Sequence, residues 1–81
     1  MENDAVAALI KAGMPSAEVT VTGDGRHFEA VVVSPEFEGQ SLIQRHRMVM
    51  ATCSAEIQSD ALHALSIKAY TPEQWSAMNA G

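Results

Sequence analysis

The first third of the chain combines one helical stripe with two alternating stretches. Between positions 3 and 12 the apolar residues recur at the i, i+3, i+4 spacing of an amphipathic helix: Val6, Leu9 and Ile10. We expect Asn3 or Asp4 to cap the start of this helix. Gly13 is expected to follow its last residue in the left-handed conformation, and Pro15 prevents the helix from resuming.

Two strands are predicted next. Positions 17–22 alternate valines with polar residues, and positions 27–34 (HFEAVVVS) alternate again, which is typical of β-strands. One face of the second strand carries apolar residues: Phe28, Ala30 and Val32. Gly23-Asp24-Gly25 between the strands supplies the residues of a tight turn. We therefore expect an antiparallel hairpin that ends at Pro35.

The segment from Ser41 to Asp60 has helical spacing over several turns. The positions predicted to face inward are Leu42, His46, Val49, Cys53 and Ile57. This places His46 on the core side of the helix. Ala51-Thr52-Cys53-Ser54 contains weak helix formers, so we expect the helix to break there into two.

The end of the chain predicts a third strand and a last short helix. Positions 65–70 alternate apolar and polar residues. Thr71 can cap the following helix while Gln74 reaches back to it, and Pro72 suits the first helical position. Trp75 would anchor this helix to the rest of the protein.

The order of the elements is helix, strand, strand, helix or helices, strand, helix, which predicts an α+β fold. The connection from the second strand to the third runs through helices, so this pair is expected to be parallel. We expect one small domain over residues 1–81, in which a three-stranded mixed sheet is covered by helices.

Composition and charge narrow the classes of function. The chain has 81 residues, 47% of them hydrophobic, and a net charge of -5, which opposes non-specific attraction to phosphate backbones or anionic lipid. Its single cysteine, Cys53, cannot form an internal disulfide. The first residues carry acids rather than the positive charge of a signal peptide, and no apolar run has the length of a membrane span. We expect a soluble cytoplasmic protein that does not bind a membrane.

His27 and His63 are the candidate metal ligands, because both fall at the ends of predicted elements, where side chains are accessible. Taken singly, each is better explained as an ordinary loop histidine, or as a histidine at the start of a strand that only hydrogen-bonds a carbonyl group. The chain has no C-x-x-C, H-E-x-x-H or calcium-loop motif. Two imidazoles would leave a metal site half filled, so a partner molecule would have to complete it.

Other reactive and charged residues have simpler interpretations. Cys53 lies on a predicted buried stripe, where a thiol is inert, and the chain lacks a phosphate loop, a nucleophile elbow and a paired-carboxylate motif. We therefore predict a protein that is not an enzyme. Arg45, Arg47 and Lys68 either form a solvated surface or make a local basic patch for an acidic partner or a nucleic acid.

Five short motifs in order resemble the BolA-like family, in particular its small acidic bacterial subgroup. They are Gly-Asp-Gly-x-His-Phe at 23–28, Val-Ser-x-x-Phe-x-Gly at 33–39, Arg-His-Arg at 45–47, His-Ala-Leu-Ser-Ile at 63–67 and Thr-Pro-x-x-Trp at 71–75. Each motif is weak alone, but together they cover roughly residues 3–75 without a large gap.

The resemblance implies a fold similar to the type II KH domain and a partnership with a monothiol glutaredoxin. In this family the two proteins share a two-iron, two-sulfur cluster, with thiolates from the glutaredoxin and its glutathione. By position, His27 corresponds to the variable histidine or cysteine ligand and His63 to the C-terminal family histidine. The cluster is expected in the shared complex and not in the isolated protein.

Two functions follow as hypotheses. The first is a non-catalytic glutaredoxin partner in the assembly, trafficking or regulation of iron–sulfur clusters, with the Arg45–Arg47 helix and the surface from the third strand to the last helix as contact regions. The alternative is a KH-like nucleic-acid-binding transcriptional regulator in stress response, although the Gly-x-x-Gly loop of KH domains is absent. The sequence leaves a weak homodimer open.

Overall fold

The helices and strands follow one another along the chain in the predicted order. The computed structural model describes residues 1–80 and contains, in that range, α1 (Asn3–Gly13), β1 (Glu18–Gly23), β2 (His27–Val33), a 3₁₀ turn (Pro35–Phe37), α2 (Leu42–Thr52), α3 (Ser54–Gln58), β3 (Ala64–Tyr70) and α4 (Pro72–Asn79). The α+β class is confirmed. The 3₁₀ turn was not predicted. It begins where the Ser34 hydroxyl accepts a hydrogen bond from the backbone N–H of Glu36.

The three strands form one mixed sheet in the order β1-β2-β3. β1 and β2 are antiparallel, with Val19 opposite Val32, and β2 and β3 are parallel, with Ala30 opposite Ile67. The predicted hairpin and the predicted parallel pair are both confirmed. Because β2 and β3 run in the same direction, their first residues lie at the same edge of the sheet.

The core lies between the sheet and the helices. Phe28, Ala30 and Val32 are buried, as the alternation predicts, because successive strand residues face opposite sides of a sheet. The buried hydrophobic cluster is Val6, Ile10, Met14, Ala17, Phe28, Ala30, Val32, Phe37, Val49, Cys53, Leu62 and Ala69. Within residues 1–80, no helix has both the length and the apolar character needed to cross a bilayer.

The ends of α1 differ from the prediction. Its N-cap is Glu2, whose side chain makes no capping hydrogen bond, so neither Asn3 nor Asp4 caps this helix. The Asn3 side chain instead donates a long, 3.5 Å hydrogen bond to the carbonyl of Gly23. Gly13 is the last helical residue rather than a left-handed residue beyond the end. A Cβ at this position would lie 2.5 Å from Cγ2 of Thr52, so close approach to α2 is what favours glycine.

Capping boxes begin both longer helices of the second half. In α2, Ser41 Oγ accepts from the N–H of Gln44 at 3.1 Å, and the Gln44 side chain accepts from the N–H of Ser41 at 2.9 Å. In α4, Thr71 and Gln74 form the predicted box. The predicted break between α2 and α3 is also confirmed, at Cys53.

The inward face of α2 differs from the prediction at three positions. Leu42 and His46 are exposed, whereas Arg45, Val49 and Cys53 are buried. These three residues are spaced by four, which is also a helical stripe. Arg45 can occupy it because its guanidinium finds hydrogen-bond acceptors inside the protein.

Candidate functional site

His27 and His63 lie at the same edge of the sheet. His27 is the first residue of β2 and stands opposite Ala64, the first residue of β3. Paired strands are about 4.8 Å apart, and His63 directly precedes Ala64, so the backbones of the two histidines are neighbours. We call this region, residues 24–27 and 60–64, the histidine edge. It brings together two residues that are 36 positions apart in the sequence.

The turn before His27 is held by the carboxylate of Asp24. Its Oδ1 accepts hydrogen bonds from the backbone N–H groups of His27 at 2.9 Å and Arg26 at 3.0 Å, and its Oδ2 lies 3.8 Å from Nδ1 of His27. The bonds from His27 and Arg26 favour the ionised carboxylate and lower the pKa of Asp24. Gly25, with φ of +96°, supplies the left-handed residue that this turn requires.

The loop before His63 is held by a buried leucine. Leu62 is fully buried, and its N–H donates to the carbonyl of Glu56 at 3.0 Å. Just before it, Asp60 reverses the chain with φ of +61°, and its N–H donates to the carbonyl of Ile57 at 3.2 Å. The backbone of His63 is therefore fixed between the Leu62 anchor and β3.

Both histidine side chains are exposed, that of His27 by 77%. Within residues 1–80, no group of three or more histidine, cysteine or acidic side chains is arranged to hold a metal ion. The histidine edge therefore offers two imidazoles. Imidazole is a good ligand for iron and replaces two of the four cysteines in one class of two-iron cluster. The donor set fits half of such a cluster.

The other histidine and the cysteine lie elsewhere. His46 is exposed on α2, which is a different element from those that form the histidine edge. Cys53 is fully buried in the core, and burial raises the pKa of its thiol. A buried thiol with a raised pKa is a poor nucleophile, in agreement with the prediction that Cys53 has a structural role.

Neither alternative given for Arg45, a solvated surface or a basic patch with Arg47 and Lys68, is correct, because Arg45 is only 8% exposed. Its Nη1 donates to Oε1 of Gln74 at 2.8 Å and to the carbonyl of Ala69 at 3.3 Å, and its Nε donates to the carbonyl of Gln40 at 3.0 Å. The guanidinium also lies 5.8 Å from the centre of the Phe37 ring. We call Arg45 and these four partners the arginine junction. Arg45 is thus unavailable for phosphate or for a partner protein.

The remaining basic residues of the predicted patch are exposed. Arg47 is exposed on α2, and Nζ of Lys68 lies 3.5 Å from Oε1 of Glu29 on the neighbouring strand. Lys68 therefore already faces a carboxylate of the opposite charge. Among residues 1–80, Arg47 has no acidic side chain within ion-pair distance, and Lys68 is paired with Glu29, so these two residues are what remains of a basic patch.

Sequence reasoning missed two residues that position the site. The capping role of Asp24 had a local signal, because an aspartate between two glycines often accepts hydrogen bonds from the backbone two and three residues on. The anchoring role of Leu62 had no such signal. An isolated leucine next to a histidine is compatible with a helix, a strand or a loop until the core around it is known.

Comparison with known proteins identifies the family. The family model described as BolA-like protein matches residues 8–74. This chain is a member of the BolA-like family. It is 36% identical over 76 residues to the acid stress protein IbaG of Escherichia coli strain K12. The aligned residues cover 94% of this chain and 90% of that protein.

Solved structures agree with the family and the fold. A bolA protein homologue from Coxiella burnetii superimposes with a TM-score of 0.86 at 42% identity, covering 94% of this chain and 97% of the other. Yeast Fra2 superimposes with a TM-score of 0.75 at 34% identity, covering 94% and 85%. The three-stranded mixed sheet with its helices is thus the BolA architecture.

Proposed function

We propose that this protein is a non-catalytic partner of a monothiol glutaredoxin, with which it shares a two-iron, two-sulfur cluster. His27 and His63 would be its ligands, and the glutaredoxin cysteine and glutathione would supply the others. The role would lie in the assembly, trafficking or regulation of such clusters in the cytoplasm. The observation that supports this most is the parallel pairing of β2 and β3, which makes two exposed histidines neighbours.

The number of donors agrees with a shared cluster. A two-iron cluster is held by four terminal ligands, and histidines replace two of the cysteines in one known class. Two imidazoles from this chain and two thiolates from the partner would complete the set. Because a metal site built from this chain alone would be half filled, the proposal requires a complex rather than an isolated metalloprotein.

The rest of the structure supports an adaptor rather than an enzyme. Cys53, the one thiol, is buried and has a raised pKa. The alternative of a nucleic-acid-binding regulator loses support, because Arg45 is internal and Lys68 faces Glu29. A net charge of -5 also opposes attraction to a polyanion.

The test is an anaerobic mixture of this protein with a cluster-loaded monothiol glutaredoxin. Visible absorption and circular dichroism would follow the cluster, and gel filtration would report the stoichiometry. We expect a changed cluster spectrum and one-to-one co-elution. The His27→Ala, His63→Ala variant should lose the changed spectrum, because this chain would no longer supply a ligand.

His46→Ala is the matched control, since His46 is also an exposed histidine but lies on α2. This variant should give the same spectrum as the unmodified protein. If the double variant at the histidine edge also keeps the changed spectrum, the ligand assignment is wrong. If the unmodified protein leaves the glutaredoxin spectrum unchanged, the partnership itself is wrong.

A further inference from the structure

A groove lies between the start of α2 and α4, at the end of β3 that is opposite the histidine edge. It consists of two adjoining cavities, of about 410 Å³ and about 370 Å³, which share Arg45, Gln74 and Ala77 as lining residues. One cavity is mainly apolar and the other is lined by two glutamates. We call the two together the α2–α4 groove.

The apolar half of the groove exposes large hydrophobic side chains. Leu42 is 66% exposed and Met78 is 58% exposed, and both line this cavity together with Tyr70. Ile43, next to Leu42 in the chain, is also 66% exposed. Scattered apolar side chains on a surface need no explanation, but a cluster that borders a groove is typical of a binding site.

The other half of the groove is acidic. Glu38 and Glu73 line it, and within residues 1–80 neither carboxylate has a basic side chain within ion-pair distance. The guanidinium of Arg45 also borders this half, but its hydrogen bonds go to Gln40, Ala69 and Gln74. The charged groups that line this half are therefore two carboxylates and the guanidinium of Arg45, which add up to a net negative charge.

We propose that the α2–α4 groove binds a protein segment that carries apolar anchor residues next to lysine or arginine. The anchors would cover Leu42 and Met78, and the basic side chains would pair with Glu38 and Glu73. An amphipathic helix in a hydrophobic groove is a common mode of this kind of recognition. Complementary charge at the rim would select basic segments over acidic ones.

Charge argues against a second copy of this chain as the occupant. In a two-fold dimer the same surface faces itself, so the glutamates of both copies would be brought together. Each copy also has a net charge of -5, and like charges placed opposite each other in an interface are destabilising. A partner of opposite charge avoids both costs.

The groove and the histidine edge are far enough apart to be used independently. β3 runs from Ala64, next to His63, to Tyr70 in the groove, and six strand steps span about 20 Å. The proposal thus assigns the surface from β3 to the last helix, which the sequence predicts as a glutaredoxin contact region, to a second partner, and a segment bound there need not displace a glutaredoxin held at the histidine edge. The groove would allow this small protein to connect two other proteins, and its occupation does not depend on the cluster.

The test uses a fluorescein-labelled amphipathic helical peptide with leucines along one side and lysines beside them. Fluorescence anisotropy would measure its affinity, and ¹⁵N–¹H NMR spectra would locate its site. We expect shifted amide signals around Leu42, Tyr70 and Met78. A peptide with glutamates in place of the lysines should bind at least about tenfold more weakly.

Variants in the two halves separate the apolar and the charged contributions. Leu42→Ser removes the apolar anchor without adding charge and should weaken binding of the lysine peptide by about tenfold or more. Glu38→Lys with Glu73→Lys should reverse the preference, so that the glutamate peptide binds better. Met50→Ser is the matched control, because Met50 is an exposed methionine of the same helix that does not line the groove, and it should leave affinity unchanged.

Three outcomes would overturn the proposal. The first is that the peptide shifts signals only outside the groove, or none at all. The second is that Met50→Ser and Leu42→Ser weaken binding equally, which would indicate non-specific adhesion. The third is that sedimentation of the unmodified protein shows a dimer that Leu42→Ser dissociates, which would identify a second copy as the occupant. None of these outcomes alters the cluster spectrum, so the proposed function is tested separately.

Discussion

The two ends of the parallel β2–β3 pair hold their polar side chains in opposite ways. At the arginine junction, Arg45 is buried and its side chain donates to acceptors from three separate segments. At the histidine edge, His27 and His63 are exposed, and the surrounding hydrogen bonds fix their backbones rather than their rings. A buried polar group that is hydrogen-bonded to several segments connects parts of the fold, whereas an exposed group on a fixed backbone is available to bind.

The largest effect that this comparison predicts is loss of stability in Arg45→Ala. The substitution removes the donors to Gln74 Oε1 and to the buried carbonyl of Ala69, which then lacks this partner. We expect the free energy of unfolding to fall by about 2–4 kcal/mol. Urea denaturation followed by far-UV circular dichroism measures it.

Two controls sharpen this result. Arg47→Ala, at an exposed position two residues away, should change the free energy of unfolding by less than about 0.5 kcal/mol. Arg45→Lys should recover part of the loss, because lysine keeps the charge without the planar fork of donors. Equal effects of Arg45→Ala and Arg47→Ala would contradict the difference between the buried and the exposed arginine.

Local signals explain why much of this fold could be predicted from the sequence. The Thr71–Gln74 capping box and the Gly23–Gly25 turn depend on residues a few positions apart, and both are present. The parallel pairing of β2 and β3 follows from their helical connection. The neighbouring positions of His27 and His63 depend in addition on the register of this pair, in which His27 lies opposite Ala64.

What could not be predicted depends on contacts distant in the sequence. The hydropathy pattern predicts Arg45 at the surface because arginine counts as polar, and it contains no sign of the acceptors that lie 24 and 29 residues away. The helical spacing of His46 to Leu42 and Val49 predicts His46 on the core side, but His46 is exposed. Gly13 resembled a helix terminator, whereas its real constraint is the approach of Thr52. These contacts between residues distant in the sequence are established only when the helices pack on the sheet.

A smaller effect is expected at the turn of the histidine edge and depends on pH. The pKa of Asp24 is lowered in the folded protein, from an ordinary value of 3.8, by its hydrogen bonds from the backbone of His27 and Arg26. Its ionised form therefore stabilises the fold above pH 3.8, and this stabilisation is lost as the pH falls through the lowered pKa.

Asp24→Asn tests this contribution. At pH 7 the variant should unfold at a slightly lower urea concentration than the unmodified protein, because it lacks the carboxylate charge. The difference between the two should shrink as the pH falls below 3.8 and through the lowered pKa of the folded protein, where Asp24 becomes protonated in the folded state as well. A difference that stays constant on acidification would show that the charge of Asp24 does not hold the turn.

The smallest effect on stability is expected from removing both histidine rings. His27 and His63 are exposed, so the His27→Ala, His63→Ala variant should change the free energy of unfolding by less than about 0.5 kcal/mol per site. Urea denaturation of the isolated protein at pH 7 measures this without any partner. A loss comparable to that of Arg45→Ala would mean that the rings stabilise the fold. A negligible loss would show that the two exposed imidazoles do not stabilise the fold, as expected of residues used for binding.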